Sequence, residues 1–473
     1  MELLGFVPIL LFTFAFLQTL IFILKGSQKR RTGKLPPGPA PLPILGNLLE
    51  LGDQPHKSLA KLAKIHGPLM SLKLGQVTTV VISSATLAKQ VLQTLDLTFS
   101  NRNVAQAVLA HKHHQDSVAW LPVDASWRNL RKICNSYIFA NQKLDDNQDL
   151  RLKKIQELLA DVQESCRVGA VVDIGQIAFK AALNVLSTNI FSLDLTDSSS
   201  DTVREFKEVI RCIMEEVGKP NLADYFPVLR SIDPQGIRRR MTIYFGKVLD
   251  LFDRIIDQRL QLRKKQGYIP VNDVLDILIT LNEQNKEEID RNRMKHLFLD
   301  LFAAGTDTTS STLEWAMTEL LRNPKTLMKA KEELEQIIGK GNLLHESDIA
   351  KGKCRNLWLH VPKDAQVLVN AWAIGRDPSL WEDPELFLPE RFLGSDMDVR
   401  GRDFELIPFG AGRRICPGLP LAIRMLHLML GSLINSFDWK LEDGITPESM
   451  DMEDRFGITL QKAQPLRAIA VQL

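Results

Sequence analysis

The stretch Phe409-Gly-Ala-Gly-Arg-Arg-Ile-Cys-Pro-Gly418 decides how this chain of 473 residues is interpreted. It fills all five fixed positions of the pattern Phe-x-x-Gly-x-Arg-x-Cys-x-Gly, with Phe409, Gly412, Arg414, Cys416 and Gly418. At typical residue frequencies, a chain of this length would show all five by chance with odds of order 10⁻⁴. We therefore interpret the stretch as a site built around one cysteine.

The surroundings of Cys416 suit a metal-bound thiolate. Gly412 and Gly418 let the backbone come close to the sulfur and to a flat macrocycle. Neighbouring backbone N–H groups tune the potential of a ligand sulfur, and an apolar cover such as Phe409 excludes water. Pro420 suits the first turn of a helix, whose positive N-terminal end favours a thiolate. We predict that Cys416 is the thiolate ligand of a haem iron, which favours cleavage of the O–O bond; the alternative is a buried, inert cysteine.

A second motif, Ala304-Gly-Thr-Asp-Thr-Thr-Ser310, lies inside a predicted apolar helix from about Met294 to Arg322. A glycine beside acid and hydroxyl side chains works against helix propensity. Such side chains can bond back to the helix carbonyls and widen a turn, which would leave room for dioxygen. We expect Thr308 to donate a hydrogen bond there and Asp307 to lie near a proton path. The alternative is an ordinary helix that tolerates Ser and Thr by back-bonding.

The third motif, Trp127-Arg-Asn-Leu-Arg131, is weaker. Trp127 and Arg131 are four residues apart, so they share one helical face and can both reach carboxylates such as haem propionates. The alternative is a packed surface pair. The adjacent histidines His113-His114 are more simply a solvated or structural pair, because no nearby partners indicate a metal site.

Composition excludes several classes of protein. Lys and Arg number 59 against 57 Asp and Glu, and a net charge of +2 gives no case for nucleic-acid binding. Five cysteines without a Cys-x-x-Cys pair do not indicate a disulfide framework, so a reducing compartment is expected. Apolar residues at 45% and charged residues at 25% are typical of a packed globular protein.

The N-terminus predicts a membrane anchor over residues 1–24. Residues 3–24 carry no charge, and as a helix they would span roughly 33 Å, close to the hydrocarbon thickness of a bilayer. The basic cluster that follows (Lys25, Lys29, Arg30, Arg31 and Lys34) places the remainder in the cytosol. The alternatives are a buried core helix and a cleaved signal peptide.

Residues 25–45, with five prolines in Pro36–Pro43, are predicted to form a stiff linker. Residues 46–473 are predicted to form a single large domain.

Hydrophobic periodicity predicts a mainly α-helical domain with small β-sheets at one side. The predicted elements are strands at 69–74 and 78–82, helices at 149–168, 243–264 and 419 to about 434, edge strands at 458–461 and 466–471, and a surface loop at 197–201.

Taken in order, five features resemble a microsomal plant cytochrome P450 over nearly the whole chain. They are the proline-rich stretch, Trp127 with Arg131, residues 304–309, Pro389-Glu-Arg-Phe392 and the Cys416 loop. Val361-Pro-Lys-Asp-Ala-Gln-Val-Leu-Val-Asn-Ala-Trp-Ala-Ile-Gly-Arg-Asp377 is most similar to the geraniol 8-hydroxylase group of that family. The resemblance implies the cytochrome P450 fold, haem b and NADPH–cytochrome P450 reductase as partner. It also implies an anchor in the endoplasmic reticulum membrane, in contact with membrane lipid, with the catalytic domain on the cytosolic side.

The resemblance further implies hydroxylation of a small hydrophobic substrate with O2, the substrate being a monoterpenoid alcohol such as geraniol. By resemblance, Cys416 ligates the iron, and Asp307 and Thr308 deliver protons to bound dioxygen. The residues implied to hold the cofactor are Trp127, Arg131, Ala304, Gly305, Phe409, Gly412, Arg414 and Gly418. Substrate contacts are expected from 104–120, from around Ala303 and from 456–459.

One family feature has no counterpart here. Members carry a Glu-x-x-Arg helix between the oxygen-binding helix and the Pro-Glu-Arg-Phe motif, but no such pair occurs between Asn323 and Pro389. Residues 351–360 resemble nothing in the family, so we infer that a helix and its adjoining strands are missing near residues 350–361, as by altered splicing or a mispredicted exon. In the family, Arg391 pairs with that helix, and removing the partners of a buried charge costs about 3–5 kcal/mol.

Three functions therefore remain open. The first is haem-thiolate monooxygenation of a small hydrophobic molecule. The second is a catalytically impaired or inactive membrane-anchored isoform that folds partly, binds haem weakly or not at all, and at most associates with partners. The third, a thiolate-haem sensor, would not need Asp307 and Thr308, so their presence counts against it.

Overall fold

The computed structural model describes residues 13–16, 18, 35–194, 201–271, 273–285, 289–338 and 365–472. Helices dominate this part of the chain, and three small sheets complete it, as the periodicity predicts. From residue 55 onward, the helices are Pro55–His66, Ala85–Lys89, Asp96–Phe99, Ala125–Ile133, Asn141–Asp146, Gln148–Arg167, Ile174–Phe191, Asp201–Gly218, Leu222–Tyr225, Ile237–Arg263, Val274–Gln284, Arg291–Arg322, Pro324–Ile338, Ala371–Ile374 and Leu419–Ser436.

The helix Arg291–Arg322, here called the central helix, forms the middle of the main core. Asp290 caps its N-terminus by accepting a hydrogen bond from the backbone N–H of Arg293. Its Phe298 meets the ring of Phe191 edge-on, with ring centroids 5.0 Å apart. The helix is therefore held by aromatic packing ahead of its polar motif.

The helix Leu419–Ser436, here called the cysteine helix, begins three residues after Cys416 and packs on the central helix. Among the described residues it alone is long and apolar enough to cross a membrane, by length and composition, and 56% of it is buried inside the protein. A helix buried to this extent, with the core around it, acts as a core helix.

The sheets lie at the edges of this helical core. Strands β1 (Leu69–Leu74) and β2 (Val77–Ile82) form an antiparallel hairpin, and β4 (Gln366–Val369) adds in parallel to β2. The second sheet has the order β3 (Val172–Asp173), β8 (Arg467–Gln472), β5 (Phe437–Leu441), and the third pairs β6 (Asp454–Arg455) with β7 (Gln461–Lys462).

Two predictions about the tail were wrong. The segment 466–471 was expected to be an edge strand, but β8 lies in the middle of its sheet, between β3 and β5. Its buried Ala468 and Ala470 alternate with more exposed residues, a pattern that fits any strand with one face on the core. Residues 458–460 are not a strand, and pairing begins only at Gln461.

The proline-rich stretch lies against β1. Ser71 donates from its backbone N–H to the carbonyl of Pro37 and from its hydroxyl to that of Pro36, at 2.8 and 2.6 Å. Gly38 sits so close to Ser71 that a side chain there would overlap the Ser71 carbonyl. Residues 36–38 are thus fixed to the sheet.

Several predictions fall on residues outside the described ranges. They are most of the anchor over 1–24, the basic cluster, residues 197–200 of the predicted loop, and the discontinuity near 350–361. Within the anchor, residues 13–16 and 18 are helical.

Candidate functional site

Cys416 is held by a tight loop ahead of the cysteine helix. Its backbone N–H donates to the carbonyl of Phe409 at 3.0 Å, which closes the loop between the first and the eighth residue of the motif. Burial raises the pKa of the Cys416 thiol, whereas the backbone N–H groups of Gly418 and Leu419 and the nearby Arg131 oppose that rise. The N–H groups at a helix start and the cation all favour the thiolate form, which is the form that ligates metals.

Of the two glycines in the loop, Gly412 is explained by a contact other than the one predicted. Gly412 has a φ of +66°, and a Cβ there would overlap the carbonyl oxygen of Leu92 rather than approach the sulfur. A Cβ at Gly418 would lie 3.9 Å from the Cys416 sulfur, an ordinary contact distance. Gly412 therefore fits the loop onto the segment around Leu92, and only Gly418 borders the sulfur.

We expect Gly412→Ala to destabilise the protein much more than Gly410→Ala. Both positions have a positive φ, +66° and +69°, and so share a backbone cost of roughly 1–2 kcal/mol. Nothing lies within 4 Å of a Cβ at Gly410, whereas the Leu92 carbonyl obstructs one at Gly412. Chemical unfolding of the two variants checks this, and equal losses would show that the contact with Leu92 does not matter.

Three arginines gather beside the cysteine. Burial, together with the charges of Arg102 and Arg131, lowers the pKa of Arg414 to about 10. Burial likewise lowers the pKa of Arg102 and of Arg131, and both feel the charge of Cys416. The Arg131 guanidinium forms no hydrogen bond or ion pair with the described residues. Such a cluster of crowded cations is complementary to anionic groups.

Trp127 and Arg414 both bind the segment 117–121. The Trp127 indole N–H donates to the carbonyl of Val118 at 3.0 Å, and the ring lies under the Arg414 guanidinium at 4.9 Å from its centroid. Arg414 donates to the carbonyls of Ser100, Val118, Ala119 and Leu121. Trp127 is only 3% exposed, so it is a core residue rather than a surface one.

One face of the central helix is open although its other faces are packed. Ala304, Thr308 and Thr312, spaced four residues apart, are exposed, whereas Thr306 and Thr309 are buried. Gly305 faces another way, since a Cβ there would lie 2.8 Å from Cδ1 of Leu186 on helix Ile174–Phe191. The lack of a side chain at Gly305 is therefore explained by the close packing of the two helices, whereas Ala304 and Thr308 lie on the open face.

The hydroxyl groups of the motif bond back to the helix, as predicted. Thr308 donates to the carbonyl of Ala304 at 2.6 Å, and Thr309 to that of Gly305 at 2.9 Å. The helix nevertheless continues without a break from Arg291 to Arg322, so no widened turn accompanies this back-bonding.

Asp307 lies on a buried side of the central helix. Its Oδ1 accepts a hydrogen bond of 2.6 Å from the Gln461 side-chain amide, whose own oxygen accepts from the exposed Arg455. Burial raises the pKa of the Asp307 carboxyl, while Thr459 and Gln461 oppose that rise. The carboxyl therefore retains a proton at a higher pH than an exposed aspartate does.

These residues fit haem b. A thiol flanked by helix N–H groups can bind iron, and the crowded guanidinium groups can bind two carboxylates. Asp124 and Asp300, the acids that face these arginines, are already bonded to backbone N–H groups of Trp127 and Val118. The open face of the central helix supplies a small-residue wall suited to a flat group. Cys416 would hold the iron of haem b and Arg131 a carboxylate, and Arg414 would join Arg131 by releasing one of the backbone carbonyls to which it donates.

The sequence reasoning missed Arg102 and Gln461. Arg102 was recognisable in principle, because it and Asp96 are the only charged residues between Gln93 and His111. Gln461 gave no local indication, since it meets Asp307 from 154 residues away. His113 is buried and half of a structural pair with His296, while His114 is partly exposed. No group of three metal-ligating side chains occurs in the described part of the chain.

Comparison with known proteins gives consistent matches. The family model described as "Cytochrome P450" matches residues 36–354 and 353–467. Geraniol 8-hydroxylase from Swertia mussotii is 55% identical over 491 residues, covering 98% of each chain. Geraniol 8-hydroxylase from Catharanthus roseus is 56% identical over 93% of this chain and 94% of its own, and drimenol monooxygenase from Persicaria hydropiper is 50% identical over 94% of both.

Proposed function

Because the chain belongs to the cytochrome P450 family, we propose that it hydroxylates a small hydrophobic substrate, a monoterpenoid alcohol such as geraniol. The family is one of haem-dependent monooxygenases, so the chain is an oxidoreductase with haem iron as its cofactor. The observation that carries the substrate class is the near full-length similarity to two proteins named geraniol 8-hydroxylase.

When bound, haem iron would supply the activation of O2 for a reaction that consumes two electrons and two protons, in which one oxygen atom enters a substrate C–H bond and the other leaves as water. Cys416 supplies the thiolate, held in place by the Phe409 carbonyl and the following helix N-terminus. Arg131 and Arg414 would bind the propionates, and Trp127 orients Arg414 through ring contact. NADPH–cytochrome P450 reductase is the proposed electron donor.

Asp307 and Thr308 have separate tasks in this proposal. The Thr308 hydroxyl, now donating to Ala304, can turn into the open space beside the central helix and donate there. Asp307 holds and releases protons at its carboxyl, which burial keeps protonated to a higher pH. The exposed Arg455 and the Gln461 amide connect that carboxyl to the surface.

We further propose that residues 1–24 anchor the chain in the endoplasmic reticulum membrane, with residues 46–473 on the cytosolic side. The span of uncharged residues and the basic cluster after it support this arrangement. Substrate contacts are proposed from 104–120, from around Ala303 and from 456–459, where Phe456 and Ile458 are exposed large apolar side chains.

The test is made on the full chain in detergent or lipid discs. We expect the reduced protein with carbon monoxide to show the red-shifted Soret band of thiolate-ligated haem. With reductase and NADPH, we expect geraniol to be converted to a singly oxygenated product. A normal Soret band without any oxidation of geraniol would contradict the substrate assignment and leave the haem site intact.

A second candidate function, a catalytically impaired isoform, is supported by the surroundings of Arg391. Its guanidinium forms no ion pair with the described residues and donates only to backbone carbonyls, those of Glu382, Asp383, Leu386 and Leu388. It borders a largely apolar groove of about 550 Å³, lined in part by Leu320, Ala330, Trp381, Phe392 and Ile434. A charge without a carboxylate partner beside such a groove fits the loss of a helix that the family carries.

The comparisons add support for this second candidate. The two segments matched by the family model meet at residues 353–354, where the sequence predicts a discontinuity. The alignment with the Swertia mussotii relative spans 491 positions, more than the 473 residues of this chain, so the relative carries residues without a counterpart here.

Restoring those residues tests the impaired-isoform proposal. If the chain is an impaired isoform, a variant that carries the relative's extra residues between 353 and 354 will bind several-fold more haem per chain than the parent. The pyridine haemochrome content of both purified proteins measures this. Stoichiometric haem with a red-shifted carbonyl band in the unaltered chain would rule out the impaired isoform.

A further inference from the structure

A buried polar network joins the central helix to the segment 113–121. His113 and His296 are 3% and 1% exposed, and their Nδ1 atoms lie 2.9 Å apart. The other ring nitrogen of His113, Nε2, lies 3.1 Å from Oδ1 of Asp300, one turn along the central helix from His296. None of these three side chains belongs to the predicted haem or proton-delivery residues.

Asp300 binds that segment with both carboxylate oxygens. Its Oδ1 accepts a 2.8 Å hydrogen bond from the Ser117 hydroxyl, and its Oδ2 accepts one of 2.8 Å from the Val118 backbone N–H. Together with His113, three donors converge on one carboxylate. A carboxylate with several donors is a stiff, charge-assisted anchor.

The same short segment binds the cofactor-side residues with its carbonyls. Val118 accepts from the Trp127 indole and from Arg414, and Ala119 accepts from Arg102 and Arg414. Leu121 accepts from Arg414 as well. Asp300 therefore accepts from a backbone N–H of the same segment whose backbone carbonyls accept from the arginines of the cationic cluster.

The protons of the histidine pair fit this role. Two Nδ1 atoms in contact need one donor and one acceptor. Burial lowers the pKa of His296 to about 4, so His296 is neutral at physiological pH. A neutral imidazole carries a single N–H. When the Nδ1–H of His296 donates to Nδ1 of His113, the N–H of His113 is therefore on Nε2, directed at Asp300. The ring of His113 is also packed edge-on against Phe245, with centroids 5.0 Å apart.

We propose that Asp300 is a positioning residue that sets the place of Arg414 and Trp127 through the backbone of residues 117–121, with His113 and His296 fixing its carboxylate. The proposal rests on the proposed haem-binding role of Arg414 only for its functional consequence. The structural coupling itself concerns residues of this chain and can be measured without cofactor.

The test compares Asp300→Ala and Asp300→Asn with Asp116→Asn as control. Asp116 also ties this segment to the central helix, through Asn292 and Arg293, but it does so near the surface and outside the network. Asp300→Ala removes every acceptor, whereas Asp300→Asn keeps one oxygen for the Val118 N–H. Hydrogen exchange by mass spectrometry on peptides spanning 113–121 reports the segment, and peptides from 148–167 report whether the variant is folded.

In Asp300→Ala we expect exchange in 113–121 to accelerate by at least about tenfold, with 148–167 unchanged, and an intermediate effect in Asp300→Asn. Haem already bound should transfer to an apoglobin acceptor roughly 10–100-fold faster from Asp300→Ala than from Asp116→Asn. Unchanged exchange in 113–121 in both Asp300 variants would overturn the proposal. Faster exchange without faster haem transfer in Asp300→Ala would overturn the link to Arg414. If the unaltered protein binds no haem, that result contradicts the proposed function, and the hydrogen-exchange comparison still tests the positioning role of Asp300.

Discussion

Replacing Cys416 by alanine is expected to abolish the red-shifted Soret band of the reduced carbonyl complex and, with it, all substrate oxidation. Among the described cysteines, only Cys416 lies in the loop ahead of the cysteine helix, where the backbone N–H groups of Gly418 and Leu419 favour its thiolate. Thiolate donation to the iron is what favours cleavage of the O–O bond, so a different ligand removes the chemistry rather than slowing it. The carbon monoxide difference spectrum of the variant measures this directly.

Cys134 offers a matched control. It is fully buried, it lies close enough to Cys416 to feel its charge, and burial raises the pKa of its thiol to about 12, so it stays an inert thiol. Cys134→Ala should retain the red-shifted band, with at most a modest loss of stability. If Cys134→Ala lost the band and Cys416→Ala kept it, the assignment of the ligand would be wrong.

Much of the fold could be predicted because the relevant information is local. The helix predicted at 149–168 is Gln148–Arg167, and the strand predicted at 69–74 is Leu69–Leu74. Apolar residues at helical or alternating spacing determine such elements wherever one face must be buried. The cysteine loop could also be recognised from the sequence, since its five fixed positions lie within ten residues.

Contacts between distant segments could not be predicted. From the sequence, Trp127 was predicted to contact a haem propionate, but the indole N–H of Trp127 donates to the Val118 carbonyl. It explained Gly412 by the sulfur, whereas the contact is with Leu92, more than 300 residues earlier. It placed β8 at an edge, because alternation shows one buried face and says nothing about how many neighbours a strand has.

The same limit applies to the polar residues that support the site. In the sequence, nothing distinguishes Asp300 from other polar residues of an apolar helix. Its role depends on Ser117 and Val118, which the fold brings to its carboxylate. Buried carboxylates are retained only where donors satisfy them, and those donors come from elsewhere in the chain. Sequence patterns therefore locate the reacting groups, while the groups that orient them require the structure.

Asp307→Asn is expected to lower the rate of substrate oxidation by roughly 10²-fold and to flatten its pH dependence, because an amide cannot hold and release the proton.

Asp307→Asn should also raise the free energy of unfolding at pH 7. Burial raises the pKa of Asp307, so the folded state binds more protons than the unfolded state above the ordinary aspartate pKa, and stability falls as pH rises through that window. Asparagine keeps the oxygen that accepts from Gln461 and removes this penalty. Steady-state turnover across pH and urea unfolding at pH 7 measure the two effects. The control is Glu215→Gln, which removes a half-buried negative charge that also raises the Asp307 pKa but is not part of the proposed proton path, so it should change turnover little. A variant Asp307→Asn with normal turnover, or one less stable than the parent at pH 7, would show that this carboxyl does not carry the proton.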